Sequence, residues 1–474
     1  MTDVLTPDLC VIGAGSGGLS VAAAAAAMGV PVVLVEKGEM GGDCLNYGCV
    51  PSKALIEAGK AAQAMRGAEK FGVAAAEPLV DMKRVRDHVR GVIGAIAPND
   101  SEARFTAMGV KVIRAAGKFV AKDTLEAGGQ RVKARRFVIA TGSSPAPPPL
   151  PGLDQIRFFT NETIFDLDEL PRHLVVIGGG PIGMELSQAF RRLGSEVTVI
   201  EAARALSRED PELAAVAIAA LRGEGVVIRE GAKIVRVEAL TSGVRIVLES
   251  DGCEDAIDGS HLLVAAGRAP NVQNLGLEQA GVNYERKGIT VGKNLRTSNR
   301  RIYAIGDVTG EAAFTHAANY HAGLVLRATL FRLPVKVEPH LVPRVTYTDP
   351  EIAVAGLTEA QARETHKTLN IYRWPFAEND RAQAAHATLG HIKVIASAKD
   401  DILGAGIAGK NAGELIAPWQ LAISKGMKVK DIANLVLPYP TLSEVSKRAA
   451  VTHYQKQLGN PRLGGLLRFL RRFG

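Results

Sequence analysis

At 474 residues the chain is too long for a single hydrophobic core, and about three domains are expected. Its 47% hydrophobic and 22% charged residues are ordinary for a globular protein, four cysteines in this length exclude a secreted disulfide framework, and a net charge of +8 is too modest to require nucleic-acid binding. No apolar run reaches the roughly 20 residues of a membrane span. The stretch 9–35 is broken by Gly13, Gly15, Gly17, Gly18 and Gly29, and Asp3 and Asp8 stand where a signal peptide would be positive, so a cytoplasmic location is expected.

In chain order, residues 9–12 (Leu-Cys-Val-Ile) read as a buried parallel strand, followed by G-x-G-x-x-G at Gly13, Gly15 and Gly18. An alanine-rich helix is predicted over 19–28 and a second strand over 32–35, ending at Glu36. Glycines there permit a tight turn and bring a pyrophosphate to a helix N-terminus, and the acid meets ribose hydroxyls. Next comes Gly41-Gly42-Asp43-Cys44-Leu45-Asn46-Tyr47-Gly48-Cys49-Val50-Pro51-Ser52-Lys53. Two cysteines five positions apart precede a Pro-Ser step that opens a helix, so Cys49 lies near a helix N-terminus that favours its thiolate. Spacing alone also permits a buried cysteine pair or a metal site; the flanking glycines and the upstream fingerprint favour redox chemistry, and no resident metal is expected. Cys10 and Cys253 read as structural.

The proline cluster 145–151 marks a boundary, after which the strand–glycine–helix–strand–acid pattern recurs. A strand at 174–177 leads to Gly178, Gly180 and Gly183, and a strand at 197–200 ends at Glu201; the first glycine and the acid are 23 positions apart in both copies. Two such units plus a cysteine pair imply a relay from a nicotinamide to a flavin to a disulfide. Glu201 favours NADH, since a carboxylate binds a 2′-hydroxyl and repels a 2′-phosphate; Arg204 nearby softens that preference, and NADP(H) is the second choice.

These motifs resemble the class I pyridine nucleotide-disulfide oxidoreductases, which include dihydrolipoamide dehydrogenase, glutathione reductase, mercuric reductase and the soluble transhydrogenases. The resemblance runs to about residue 451, and it is most specific over residues 41–53. Supporting matches are Ala140-Thr141-Gly142, the loop from Gly178 to Glu185, Ala266-Gly267-Arg268-Ala269-Pro270-Asn271, Tyr303-Ala304-Ile305-Gly306-Asp307 and residues 342–356. It implies an α/β fold with two Rossmann-like dinucleotide-binding domains, for FAD and NAD, and an α+β C-terminal dimerisation domain. The FAD-binding domain is implied to be split, its first segment at 1–150 and its second at 276–340, with the NAD(P) domain at 151–275 between them and the interface domain at 341–474. Cys49 is then the thiol facing the flavin, Cys44 the interchange thiol, and Lys53 with Glu185 the ion pair beside the flavin. Gly13, Gly15, Gly18, Glu36, Thr141, Gly142, Gly306 and Asp307 are implied for FAD, Gly178, Gly180, Gly183 and Glu201 for the nicotinamide dinucleotide, and Lys37, Gly42, Lys53, Gly267 and Arg268 as further cofactor contacts. A homodimer is implied.

Two features depart from the thiol-disulfide members. Tyr439 stands where their acid–base histidine is expected, although Glu444 matches the glutamate that orients it. A tyrosine titrates near about 10 against about 6.5 for histidine, and is a poor base at neutral pH. His453 lies nine positions beyond Glu444. Mercuric reductases also carry tyrosine there but have a C-terminal cysteine pair, whereas the last cysteine here is Cys253; soluble transhydrogenases lack the active pair present here. The second departure is the basic, apolar segment 461–474, with Leu463, Leu466, Leu467 and Leu470 at helical spacing and Arg468, Arg471 and Arg472 elsewhere around the turn, a candidate for membrane-surface or partner contact. The expected function is FAD-dependent electron transfer between NAD(H) and a small disulfide, dithiol or lipoyl-bearing protein, nearest to dihydrolipoamide dehydrogenase. A mercuric-reductase-like metal or electrophile reductase is the first alternative, and a partner-docked electron-transfer flavoprotein the second.

Overall fold

The computed structural model describes residues 4–250, 253–311, 313–455 and 461–473. They form two compact units, one of residues 4–66, Ala75–Ala202 and Gly231–Pro339, the other of Gly67–Ala74, Ala203–Glu230 and the chain from His340 onward.

The first unit contains two parallel sheets built alike. In one, strand order runs Ile302–Ala304, Arg136–Ile139, Leu9–Ile12, Val32–Glu36, Lys111–Arg114, which brings a late segment of the chain close to its first strands. Leu9–Ile12 is buried throughout, the pattern of a parallel strand covered on both faces. In the other, His173–Ile177 pairs in parallel with Glu196–Glu201 and His261–Val264. The matching sequence spacing becomes a matching register: Leu9 pairs with Val32 and Leu174 with Val197. The helix after the first strand spans Ser16–Ala27, beginning three residues before the predicted start because Gly17 and Gly18 form its first turn, buried against the sheet. A three-stranded antiparallel sheet, Lys233–Leu240, Gly243–Ser250 and Cys253–Gly259, precedes His261–Val264.

The second unit is organised by a five-stranded antiparallel sheet in the order Arg344–Thr346, Glu351–Gly356, Ile402–Gly409, His391–Ser397, Leu369–Pro375. Its core includes the fully buried Trp419 and Phe376. Trp419 Nε1 donates to Ser446 Oγ at 2.9 Å, so the indole is buried without an orphaned donor. Lys393, only 4% exposed, reaches Asp210 at 2.9 Å, Glu212 at 2.7 Å and Glu359 at 2.8 Å, and Arg344 pairs with Glu209 at 3.0 Å. Gly406 leaves room for Leu213 of the helix Pro211–Gly223, since a methyl group there would lie 2.4 Å from the leucine side chain.

The Lys393 network sets a stability prediction. Removing the cation leaves a cluster of carboxylates with a partner missing, so Lys393→Met is expected to cost about 3–5 kcal/mol, read as a lowered urea midpoint of the flavin-loaded protein. The hydrogen bond from Arg373, helped by Lys393, holds Glu212 down to about 2. A carboxylate held below its unfolded value contributes stability that is complete above about pH 4.5 and is lost as the pH falls toward 2. The Lys393→Met difference is therefore expected to shrink over that acid range.

Candidate redox site and dinucleotide cradles

Gly41 and Gly42, at φ of 87° and 60°, turn the chain into the short helix Gly42–Asn46, and Asn46 Nδ2 closes the turn by donating to the carbonyls of Met40 at 3.0 Å and Gly42 at 2.9 Å. This turn lies on the first glycine loop: Gly41 N–H donates to the Ala14 carbonyl at 2.9 Å, and a methyl at Gly42 would lie 2.7 Å from Gly15 Cα. The long helix spans Cys49–Arg66, so it begins at Cys49 itself, with Pro51 in its first turn. Its N-terminus carries the partial positive charge that stabilises a thiolate. A second helix, Thr315–Leu330, begins beside it, with Thr315 Oγ1 3.5 Å from Cys49 Sγ.

Both cysteines are free thiols, Cys44 half-buried and Cys49 exposed. Their influence on each other divides their acidity. Cys49 is brought down to about 6, first by its interaction with Cys44 and then by Thr315 and the Lys53 charge. Cys44 moves far upward, first through the same interaction and then through burial. The pair thus carries one negative charge near neutrality, on Cys49. Burial alone pushes the Cys10 thiol up, in keeping with an inert core residue. The Cys253 side chain lies outside the described residues.

One turn beyond Cys49, Lys53 Nζ meets Glu185 Oε2 at 2.8 Å. Glu185, 7% exposed, comes from Pro181–Leu193, the helix of the second glycine unit. The two helices approach closely at Gly59, where a methyl would lie 3.2 Å from the Ala189 carbonyl. The ion pair therefore joins the cysteine helix to the second dinucleotide unit.

The two glycine loops are near copies. Gly13 and Gly178 have φ of 106° and 113°, and a methyl on them would lie 2.4 Å from the Ala140 carbonyl and 2.6 Å from that of Ala265. Methyls at Gly18 and Gly183 would lie 1.9 Å and 2.0 Å from the carbonyls of Gly13 and Gly178. Gly15 and Gly180 instead face open space. Each acid also secures its own loop, a role the sequence reading missed: Glu36 accepts from Ala14 N–H at 2.5 Å and Gly38 N–H at 2.6 Å, and Glu201 accepts from Gly179 N–H at 2.7 Å. Lys37 is exposed.

Thr141 and Asn271 bind each other's carbonyls, at 2.8 Å from Thr141 Oγ1 and 2.9 Å from Asn271 Nδ2, and Asn271 N–H donates to Gly142 at 2.9 Å. Asp307 accepts from Ser143 Oγ at 2.6 Å, and Gly306 N–H donates to His321 Nδ1 at 3.3 Å. Gly267 offers its carbonyl to Ala146 N–H at 3.0 Å. Arg268, an expected cofactor contact, bonds to Ser143 Oγ at 2.9 Å, the Ser143 carbonyl at 2.7 Å, Asn161 Oδ1 at 3.3 Å and Asp43 Oδ1 at 3.0 Å. Because Asp43 adjoins Cys44, Arg268 braces the cysteine turn.

In the second unit Tyr439 is exposed, and its hydroxyl donates to Asp380 Oδ2 at 2.9 Å. That carboxylate raises the phenol above its ordinary value, which makes it a hydrogen-bond donor rather than a base. Glu444 opens the helix Glu444–Val451. His453 Nδ1 pairs with Asp400 Oδ2 at 3.1 Å, beside Tyr372. Among the described residues no cluster of histidine, cysteine and carboxylate side chains suits a metal ion.

Residues 7–322 match the family described as pyridine nucleotide-disulphide oxidoreductase, and residues 342–450 match its dimerisation domain. The chain belongs to this family. It is 38% identical over 465 residues to a dihydrolipoyl dehydrogenase of Thermus scotoductus, covering 94% of this chain and 97% of that protein. It is 35% identical over 448 residues to a mercuric reductase of Staphylococcus aureus, covering 94% and 82%. Among solved structures it resembles the HOCl-induced flavoprotein disulfide reductase RclA from Escherichia coli, with a TM-score of 0.83 at 27% identity over 94% of this chain and 99% of that one. It also resembles LpdA from Mycobacterium tuberculosis, with a TM-score of 0.86 at 26% identity over 94% and 99%.

The family depends on FAD and a pyridine nucleotide, and the residues present fit both groups. Each glycine loop has one glycine open where a pyrophosphate would pass and two closed against backbone. Each loop therefore places opposite demands on neighbouring glycines, which substitution separates. Gly180→Val fills open space and is expected to keep the melting temperature while weakening pyridine-nucleotide affinity at least about tenfold, from lost backbone approach. Gly183→Ala places a methyl against the Gly178 carbonyl and is expected to lower both affinity and melting temperature. Nucleotide titration and calorimetry check both outcomes.

Proposed function

We propose that this oxidoreductase takes electrons from NADH in preference to NADPH and delivers them through the Cys44–Cys49 pair to a small disulfide or a lipoyl-bearing protein, as a homodimer in the cytoplasm. The observation that carries this reading is the placement of Cys49 at the start of the helix Cys49–Arg66, five residues after Cys44 and one turn before the Lys53–Glu185 ion pair. Gly13, Gly15, Gly18, Glu36, Thr141, Gly142 and Asp307 would hold FAD, and Gly178, Gly180, Gly183 and Glu201 the nicotinamide dinucleotide. Bound FAD supplies two-electron exchange between a nicotinamide and the cysteine pair. The matched dimerisation domain supports the homodimer.

On the protein side the thiol chemistry balances as follows. Cys44 sulfur attacks the substrate disulfide, one substrate sulfur leaves and takes a proton, and a mixed disulfide remains. Cys49 thiolate then attacks Cys44 sulfur and expels the second substrate sulfur, which is also protonated. Two electrons have passed to substrate, and Cys44 and Cys49 are joined. Lys53, held by Glu185, keeps a positive charge near the Cys49 thiolate. The first step requires Cys44 to lose its proton, and its upward shift makes that the demanding point.

Tyr439 favours a second reading. At the position where the resemblance expects a base, the chain presents a phenol whose proton Asp380 holds. An acceptor that takes electrons directly, such as a soft metal ion, needs no base there. Mercuric reductases stand among the relatives, and RclA was solved as a Cu(II) complex.

Steady-state assays with dihydrolipoamide, lipoamide, oxidised glutathione, Hg(II) and Cu(II) separate the readings. The primary reading expects lipoamide or disulfide turnover, with kcat/KM for NADH at least about tenfold above NADPH as a carboxylate at the ribose implies. It also expects Tyr439→His to raise dihydrolipoamide turnover at pH 7 by about tenfold or more, since a placed histidine base contributes on the order of 10²–10⁴. No thiol or disulfide turnover in either form, with brisk Hg(II)- or Cu(II)-dependent NADH oxidation, overturns it for the second.

A further inference from the structure

The excess positive charge of this chain is concentrated at one end. After Glu444 there are seven lysines and arginines and no aspartate or glutamate, against a net charge of +8 for all 474 residues. Within that region Pro461–Leu470 is a helix followed by one turn. At about 100° per residue, Leu463, Leu466, Leu467, Phe469, Leu470 and Phe473 fall within one arc of about 160°. Arg468, Arg471 and Arg472 fall on the opposite side.

The apolar side is uncovered. Leu466, Leu467, Phe469 and Leu470 are each about half exposed, and Phe473 is 73% exposed. The rings of Phe469 and Phe473 meet edge to face at 5.1 Å, extending the apolar stripe past the end of the helix. Arg468, Arg471 and Arg472 form no ion pair with the described residues. A polar helix face laid on its own protein would gain from such pairs; these guanidinium groups remain available to an outside anionic surface.

We infer that residues 461–473 form an in-plane anchor that docks the reductase on an anionic phospholipid surface. Ten helical residues span about 15 Å, half of a roughly 30 Å hydrocarbon core, so the helix lies along the surface rather than crossing it. Leucine and phenylalanine enter the acyl boundary, and the arginines reach the headgroup phosphates. Charge complementarity selects this occupant over a second copy of the tail, which would bring only more positive charge to the same place.

The test uses the flavin-loaded, full-length protein and sedimentation with vesicles of pure phosphatidylcholine or of phosphatidylcholine with about one third phosphatidylglycerol. Binding to the anionic vesicles is expected, weakening as salt is raised, with little binding to neutral ones. Each arginine is expected to contribute about fivefold, so Arg468→Gln/Arg471→Gln/Arg472→Gln should weaken binding about a hundredfold. Leu466→Glu/Leu470→Glu should abolish it. Both variants should retain flavin content and NADH oxidation, which separates this inference from the proposed chemistry. Full-length protein left in the supernatant with anionic vesicles overturns it, as does binding that survives Leu466→Glu/Leu470→Glu. Light scattering without vesicles gives the remaining outcome: an assembly larger than a dimer that Leu466→Glu/Leu470→Glu disperses would show a second copy on this face and overturn the membrane assignment.

Discussion

The mutual influence of Cys44 and Cys49 is the interaction on which the chemistry of this protein turns. Two thiols so close cannot both ionise cheaply, and the surroundings decide which one does. Cys49 has the helix N-terminus, the Thr315 hydroxyl and the Lys53 charge. Cys44 is raised first by its interaction with Cys49 and then by burial and the Cys49 charge, while Thr315 lowers both thiols and Asp43 raises both. The charge therefore rests on Cys49, and Cys44 carries the proton that must be lost before it can act as a nucleophile.

Much of the first unit exists to hold that pair in place. The Gly41–Gly42 turn is pressed on the first glycine loop, Arg268 grips Asp43 from a segment more than 200 residues away, and Glu185 reaches Lys53 from the second dinucleotide unit. Each contact ties the cysteine helix to a piece of a dinucleotide cradle. An enzyme that passes electrons between two bound groups and a thiol pair needs this rigidity, because small displacements at a reacting centre cost large factors in rate. Where the resemblance implies a histidine base the chain carries Tyr439, whose hydroxyl donates to Asp380, and the choice between the two proposed acceptors rests there.

Local features of the molecule were legible in the sequence, and distant contacts were not. The matching 23-residue spacings emerge as matching strand registers, and the cysteine segment announces its family, as the two matches confirm. Periodicity and glycine placement act within one strand–helix unit and are visible in a linear string. Thr315 lies 266 positions from Cys49 and carries no motif of its own, so only folding reveals it. The bonds of Arg268 to Ser143, Asn161 and Asp43 join segments far apart in the chain and have no signature in its own motif. Lys393 lies 183 positions from Asp210, so their ion pair leaves no mark in the linear string. The replacement of histidine by Tyr439 was legible; its partner Asp380 was not.

The pH dependence of thiolate ultraviolet absorbance in the reduced protein, with the signal of Cys49→Ser subtracted, tests the division of charge most directly. A single thiolate appearing with a midpoint near pH 6 is expected, with Cys44 remaining protonated through neutral pH. A midpoint at about 8.5 or above, the value of an unperturbed cysteine, would contradict the placement of the charge on Cys49 and with it the assignment of roles to the two sulfurs.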